Sequence, residues 1–173
     1  MTLHLVRHGL PLIDPDHPAA EWELDPAGFD DIWALRESDR LPQGAAWFCS
    51  PERKAQGTAQ LLTDGEVGLL DELREHERGP GWIEDFGERV RVAFARRDRP
   101  AAPGWEPLDA TSARLLPAVR RILDVHGDHD VVLVGHGTAW TLLVAELTGR
   151  EPDLQRWRSL AMPDVITVTS ALG

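Results

Sequence analysis

Asp130-Val131-Val132-Leu133-Val134-Gly135-His136-Gly137 is the stretch whose reading decides the fold. Four apolar residues in a row, mostly β-branched and bounded by an acid and a glycine, predict a buried strand over Asp130–Val134. Thr2-Leu3-His4-Leu5-Val6 repeats the design near the other end of the chain and runs into Arg7-His8-Gly9. Working outward, Ala45–Cys49 reads as a strand broken by Ser50-Pro51, Val67–Leu70 as a short strand and Val165–Val168 as a closing one. Between them lie helical signals. Asp25-Pro26 looks like a cap with proline in the first turn of Ala27–Ser38. Ala55, Thr58, Ala59 and Leu62 share one helical face. Ala113–Val125, with Pro117 near its start, and Thr138–Leu147 read as two more helices. Strands alternating with helices predict an α/β domain on a mainly parallel sheet, whose ligands bind beyond the carboxyl ends of the strands.

With 173 residues the chain is expected to form a single domain over 1–173. Residues 78–109, rich in Gly, Pro, Trp and charge, are expected to hold one helix around Trp82–Arg97 and to cover a site. Trp82 and Trp105 in that segment are candidates to shape a pocket, whereas Trp47 and Trp140 read as core. The apolar runs are too short to span a bilayer, no secretory signal pattern is seen, and the single cysteine, Cys49, has no internal partner. A cytoplasmic location is therefore expected. A net charge of −11 argues against general affinity for nucleic acid or anionic membrane. The arginines near 89–99 alternate with acids and read as a solvated helix face.

Three predicted strands end in reactive side chains: Arg7-His8, Ser50 with the basic pair Arg53-Lys54 after it, and His136. Glycine after His8 lets the backbone turn and a ligand approach closely, and the Arg7 fork matches two phosphate oxygens. Glycines on both sides of His136 free backbone amides to face an anion. Two strand-end histidines beside cations can bind a dianionic phosphoryl group and attack it. The chain has no Asn and no Tyr, and Lys54 is its only lysine. The codons of all three are AT-rich, so the composition reads as that of a GC-rich genome in which arginine displaces lysine. A lysine retained against that trend is a candidate phosphate contact, with a surface lysine as the alternative. His126-Gly127-Asp128-His129-Asp130 could in principle ligate zinc, but it falls in a turn before a strand and reads as a solvated loop. No metal and no cofactor are expected, and no Walker-type or dinucleotide motif occurs.

Leu5-Val6-Arg7-His8-Gly9, Ser50-Pro51-Glu52-Arg53-Lys54-Ala55-Gln56-Gly57-Thr58-Ala59, Leu73-Arg74-Glu75 and Val134-Gly135-His136-Gly137, in this order, resemble the motifs of the histidine phosphatase superfamily. The resemblance runs over nearly the whole chain. It implies the phosphoglycerate mutase-like fold, a three-layer α/β/α arrangement. It also implies His8 as nucleophile, Arg7 and His136 on the phosphoryl oxygens, and Glu75 as the acid that protonates the leaving oxygen and then activates water. Glu72 is the next candidate for the acid, and Asp71 and Glu77 lie close in sequence. His76 and Arg78 are possible pocket residues.

The chain departs from the family pattern twice. Lys54 stands where an arginine is usual, with Arg53 able to replace it only if the turn slips by one residue. Leu10-Pro11-Leu12-Ile13-Asp14 follows Gly9 where many members carry polar groups, which weighs against mutase activity. The expected function is a metal-independent phosphatase acting on a small phosphomonoester or on protein phosphohistidine. The alternatives are a non-catalytic phospholigand-binding domain, then a mutase, then a metal-dependent hydrolase.

Overall fold

The computed structural model describes residues 1–42 and 44–169. Residues 170–173, the end of the span assigned to the single domain, lie outside the described residues. Five strands form one sheet: β1 (Leu3–Arg7), β2 (Ala46–Cys49), β3 (Val67–Leu69), β4 (Val131–Gly135) and β5 (Asp164–Val168). Their order is β3-β2-β4-β1-β5, with β5 antiparallel to β1 and every other pairing parallel. The predicted α/β class with a mainly parallel central sheet is what the chain adopts.

Period-two alternation sorts the strand side chains between two helical layers. Val6, Trp47, Val132 and Val134 face Ile32 and Leu35 of α1 (Phe29–Glu37) and Ala59 and Leu62 of α2 (Arg53–Leu62). On the other face, Leu3, Leu5, Val131 and Leu133 meet α4 (Leu108–Val125) and α5 (Gly137–Thr148) through Leu115, Val119, Ile122, Trp140 and Leu143. Covered on both sides, β4 has all five residues buried, as its unbroken apolar run requires. A smaller cluster joins α3 (Phe86–Ala95) to Trp105, Leu108 and Leu142. Among the described residues, no helix is long and apolar enough to cross a membrane.

Several boundaries differ from expectation. The helix expected from Ala113 begins at Leu108, so Pro117 lies well inside it and not near its start. The buried face Leu108, Thr111, Leu115, Ala118, Val119 and Ile122 carries the helix past the hydrogen bond that proline cannot donate. The helix expected from Ala27 opens instead as a 3₁₀ turn, Pro26–Gly28, with the Asp25 carboxylate accepting from the Ala27 amide at 2.9 Å. A short helix, α6 (Leu154–Ser159), was not expected; the Asp153 side chain caps it.

Trp140 locks α5 to the central strands. Fully buried, it donates from Nε1 to the Val6 carbonyl at 2.8 Å. A Cβ on Gly135 would lie 2.5 Å from this indole. Gly135→Ala is therefore expected to destabilise the fold by about 1–3 kcal/mol through overpacking, read as a lower urea midpoint at constant slope. An unchanged midpoint would mean that Trp140 can shift aside.

Candidate active site

The carboxyl ends of β1, β2 and β4 bring the predicted residues together. His8 is buried at the end of β1, and its backbone amide donates to the Gly135 carbonyl of β4 at 2.9 Å. The ring of His136, which directly follows β4, stands 5.3 Å from that of His8, centroid to centroid, and inclined at 63°. His8 Nδ1 lies 2.7 Å from the Gly9 carbonyl. A carbonyl can only accept, so Nδ1 carries the proton and Nε2 keeps the lone pair. Gly9 itself has no left-handed φ. A side chain is excluded there by packing, since an added Cβ would come 2.6 Å from Ile32 Cδ1. Its amide donates to Thr58 Oγ1 of α2 at 2.9 Å.

Lys54 is buried, at 5% exposure, and is not a surface lysine. Its ammonium donates to Glu52 Oε2 at 2.6 Å and to the Ala19 carbonyl at 2.5 Å. Arg53 points outward to Glu23 with 68% of its side chain exposed, so the turn has not slipped and Lys54 is the inward cation. Glu52, to which the sequence assigns no part, is central to the cluster. Its Oε1 accepts from the Glu75 amide at 2.8 Å and lies 3.4 Å from His136 Nε2, which also contacts Ser50 Oγ at 2.8 Å. A carboxylate in an acid-rich chain carries no sequence signal of burial. The one available hint was its position two residues before the only lysine.

Glu75 crosses to the N-terminus of α5. Its carboxylate accepts from the amides of Ala139 at 2.9 Å, Thr138 at 3.2 Å and His76 at 2.9 Å. The amides that the glycines around His136 were expected to free thus meet Glu75 at this helix start. Arg78 lies 3.7 Å from Glu75 Oε2 and donates to Thr138 Oγ1 at 2.8 Å. What Glu72 contributes is its backbone carbonyl, to Arg114 of α4. The Arg114 guanidinium also binds the carbonyls of Arg74 and Glu75 and the Glu106 carboxylate, at 2.7–2.9 Å, and so fixes the backbone that carries Glu75.

Segment 78–109 contributes an aromatic wall. The Arg78 guanidinium sits 4.6 Å from the Phe86 ring centre and 5.2 Å from that of Trp105. Trp157 of α6 donates to Thr138 Oγ1 at 3.2 Å. His76 does not line open space. It is 2% exposed, packed on Trp105 with Nε2 bonded to the Glu106 carbonyl at 2.7 Å, and it supports the wall from behind. Trp82 is 59% exposed. In the His126–Asp130 segment, His126 meets Phe48 edge to face and Asp130 accepts from the Thr2 amide at 2.6 Å, duties of a structural turn.

Arg7 donates to the Leu160 carbonyl at 2.5 Å and packs beside Gly137. Arg7 Nε, Arg78 Nε and His136 Nδ1 are buried without a protein partner among the described residues. His4 Nδ1, His76 Nδ1 and Arg114 Nε share this state, so what distinguishes Arg7, Arg78 and His136 is that they gather around the His8 ring and Glu75. Burial holds the His8 ring well below the ordinary histidine range, reinforced by His136, Lys54 and Arg7 and opposed by the Gly9 carbonyl. Burial also depresses His136, with Lys54 and Arg78 acting in the same sense and Glu52 and Glu75 against it. For Glu75 burial works upward but is outweighed by Arg78, His136 and the His76 amide, which bring the carboxyl down to about 2. The resting site thus holds a neutral His8 ring and an ionised Glu75.

The family model described as Histidine phosphatase superfamily (branch 1) matches residues 3–171. The uncharacterized phosphatase PhoE of Bacillus subtilis (strain 168) is 24% identical over 129 residues, 71% of this chain. The match spans 65% of that protein, just under two thirds of its length. Among solved structures, mycobacterial glucosyl-3-phosphoglycerate phosphatase with VO3 superposes with a TM-score of 0.75 at 24% identity, over 97% of this chain and 92% of that one. A mutant phosphoserine phosphatase from Entamoeba histolytica, in complex with phosphoserine, gives a TM-score of 0.75 at 19% identity, over 96% and 89%.

Proposed function

The chain belongs to the histidine phosphatase superfamily, and from that premise we propose that it hydrolyses a phosphomonoester, or protein phosphohistidine, through a phosphohistidine on His8. The observation that carries this reading is the His8 ring itself, whose Nδ1 is tied to the Gly9 carbonyl at 2.7 Å, leaving Nε2 unprotonated. Burial and cationic neighbours keep that nitrogen free of protons at neutral pH. Phosphoryl transfer asks chiefly for positioning and charge neutralisation; Arg7, Arg78 and Lys54 supply cationic donors around the ring, and His136 offers a ring nitrogen.

In the first step His8 Nε2 attacks phosphorus and the ester P–O bond breaks. The leaving oxygen takes the proton of Glu75 and departs as an alcohol. In the second, water attacks the phosphohistidine and gives a proton to Glu75, the P–N bond breaks, and inorganic phosphate leaves. Glu75 must therefore be protonated when the ester binds, although it rests ionised. Arrival of a dianion supplies the change. Arg78 and His136, which hold Glu75 ionised, turn to phosphoryl oxygens, and the added negative charge drives the carboxyl upward.

The names of the similar phosphatases favour a small phosphomonoester as substrate. The apolar Leu10–Ile13 stretch favours hydrolysis over a mutase reaction, which must retain a phosphorylated intermediate while it turns. The purified protein is expected to release phosphate from an aryl phosphate at a rate unchanged by a chelator. Chelator sensitivity would overturn the metal-independent reading. Saturable vanadate binding without turnover on any of a panel of esters would favour a non-catalytic phospholigand-binding domain.

A further inference from the structure

Glu52 is a buried carboxylate with three charged or polar partners and no part in the reaction described above. One oxygen binds the Lys54 ammonium at 2.6 Å; the other accepts the Glu75 amide at 2.8 Å and lies 3.4 Å from His136 Nε2. Resting on the proposed reaction, we propose that Glu52 is a positioning residue that orients His136 and Lys54 toward the ligand while anchoring the loop that carries Glu75.

The atoms divide the work. His136 presents Nε2 to Glu52 and Ser50, while its buried Nδ1 has no protein partner among the described residues. Only an imidazolium carries a proton on both nitrogens. In that form His136 gives one N–H to the Ser50–Glu52 side and keeps the other for a phosphoryl oxygen. The arrangement is a carboxylate behind a histidine, with the far nitrogen directed to the ligand. An ammonium likewise has three N–H groups. Lys54 gives two of them to Glu52 and Ala19 and retains the third. Without Glu52, a buried Lys54 and a protonated His136 would repel each other across the same space.

The charged groups facing His136 are Glu52 and Lys54 at the start of α2, Glu75 and Arg78 from the loop after β3, and His8 at the end of β1. Burial alone disfavours the imidazolium, Lys54 and Arg78 add to that, and Glu52 is the larger of the two opposing carboxylates. Removing the Glu52 charge therefore lowers the pH at which His136 loses its proton, and removing the Lys54 charge raises it.

The test titrates the His136 imidazole by nitrogen-detected NMR in the unliganded protein, alongside vanadate affinity and kcat/KM for an aryl phosphate as functions of pH. Glu52→Gln preserves shape and an oxygen for the Glu75 amide. It is expected to move the His136 midpoint, and the alkaline limb of vanadate binding, down by about one pH unit or more. Lys54→Met is expected to move both upward, and the double variant to return them toward the starting values. Opposite shifts in two single variants cannot arise from a common loss of folding. Parallel profiles that lose affinity equally at every pH would overturn the proposal and leave Glu52 a packing residue. So would an unmoved His136 midpoint. Failure of the unmodified protein to turn over any ester would instead strike the proposed reaction, while the NMR midpoints would still decide the part of Glu52.

Discussion

Replacing His8 with alanine is expected to lower kcat on the order of 10⁴-fold or more, with vanadate still bound. The nucleophile supplies the bond that splits one hard displacement into two easier ones, and enzymes that lose theirs keep only the rate due to binding and charge stabilisation. Arg7, His136 and Lys54 would remain, so the loss belongs to kcat and not to ligand affinity. The neutral ring also contributes little charge to the cradle, because burial and its cationic neighbours disfavour its protonation. Rapid quench with radiolabelled ester should trap an acid-labile, base-stable label on His8 in the unmodified protein and none in the variant. A variant that keeps full turnover would end the phosphohistidine mechanism.

Glu75→Gln is expected to cost about 10²–10⁴-fold in kcat for an alkyl phosphate, the usual worth of a positioned acid or base. The signature is in the leaving group. An ester whose alcohol leaves readily as an anion needs no proton, so a nitrophenyl phosphate should still transfer its phosphoryl group to His8. Water would then lack its base, and the phosphoenzyme should accumulate after a burst of one equivalent. Glutamine can still accept one of the Thr138 and Ala139 amides, so the start of α5 should lose only about 1 kcal/mol. Equal losses for both esters, with no burst, would show that Glu75 acts as a cap and not as an acid. His76, whose Nε2 is already spent on Glu106, is not placed to take over.

What could be read in advance follows from where the physical signal is written. The strands of the sheet centre are apolar runs stopped by polar residues, and a buried parallel strand leaves that mark in a few consecutive positions. His8 and His136 were legible because strand ends in a parallel sheet converge on one edge. Lys54 stood out against the composition of the whole chain. By contrast, two of the amides that hold Glu75, those of Thr138 and Ala139, are more than sixty positions away, and no local pattern encodes them. Glu52 and Arg114 act through burial, a property that a surface-rich acidic sequence hides. The start of α4 was placed too late, at Ala113, because proline is best tolerated in a helix's first turns, whereas the packed face of that helix outweighs one missing hydrogen bond.

The place of β1 in the sheet has a bearing on how the protein is made. Its two neighbours are β4 and β5, and Leu3 pairs with Val131 and Val168. On a ribosome adding about 5–20 residues per second, the first strand waits roughly 6–25 seconds for its nearest partner. Throughout that interval an apolar strand leading into His8 has no sheet to join, and pairings so distant in sequence are slow to form. The residues of the candidate site are therefore not assembled in any nascent chain until translation has passed β4. The interval is also the one in which a chaperone able to hold a short apolar segment near the N-terminus would do the most for yield.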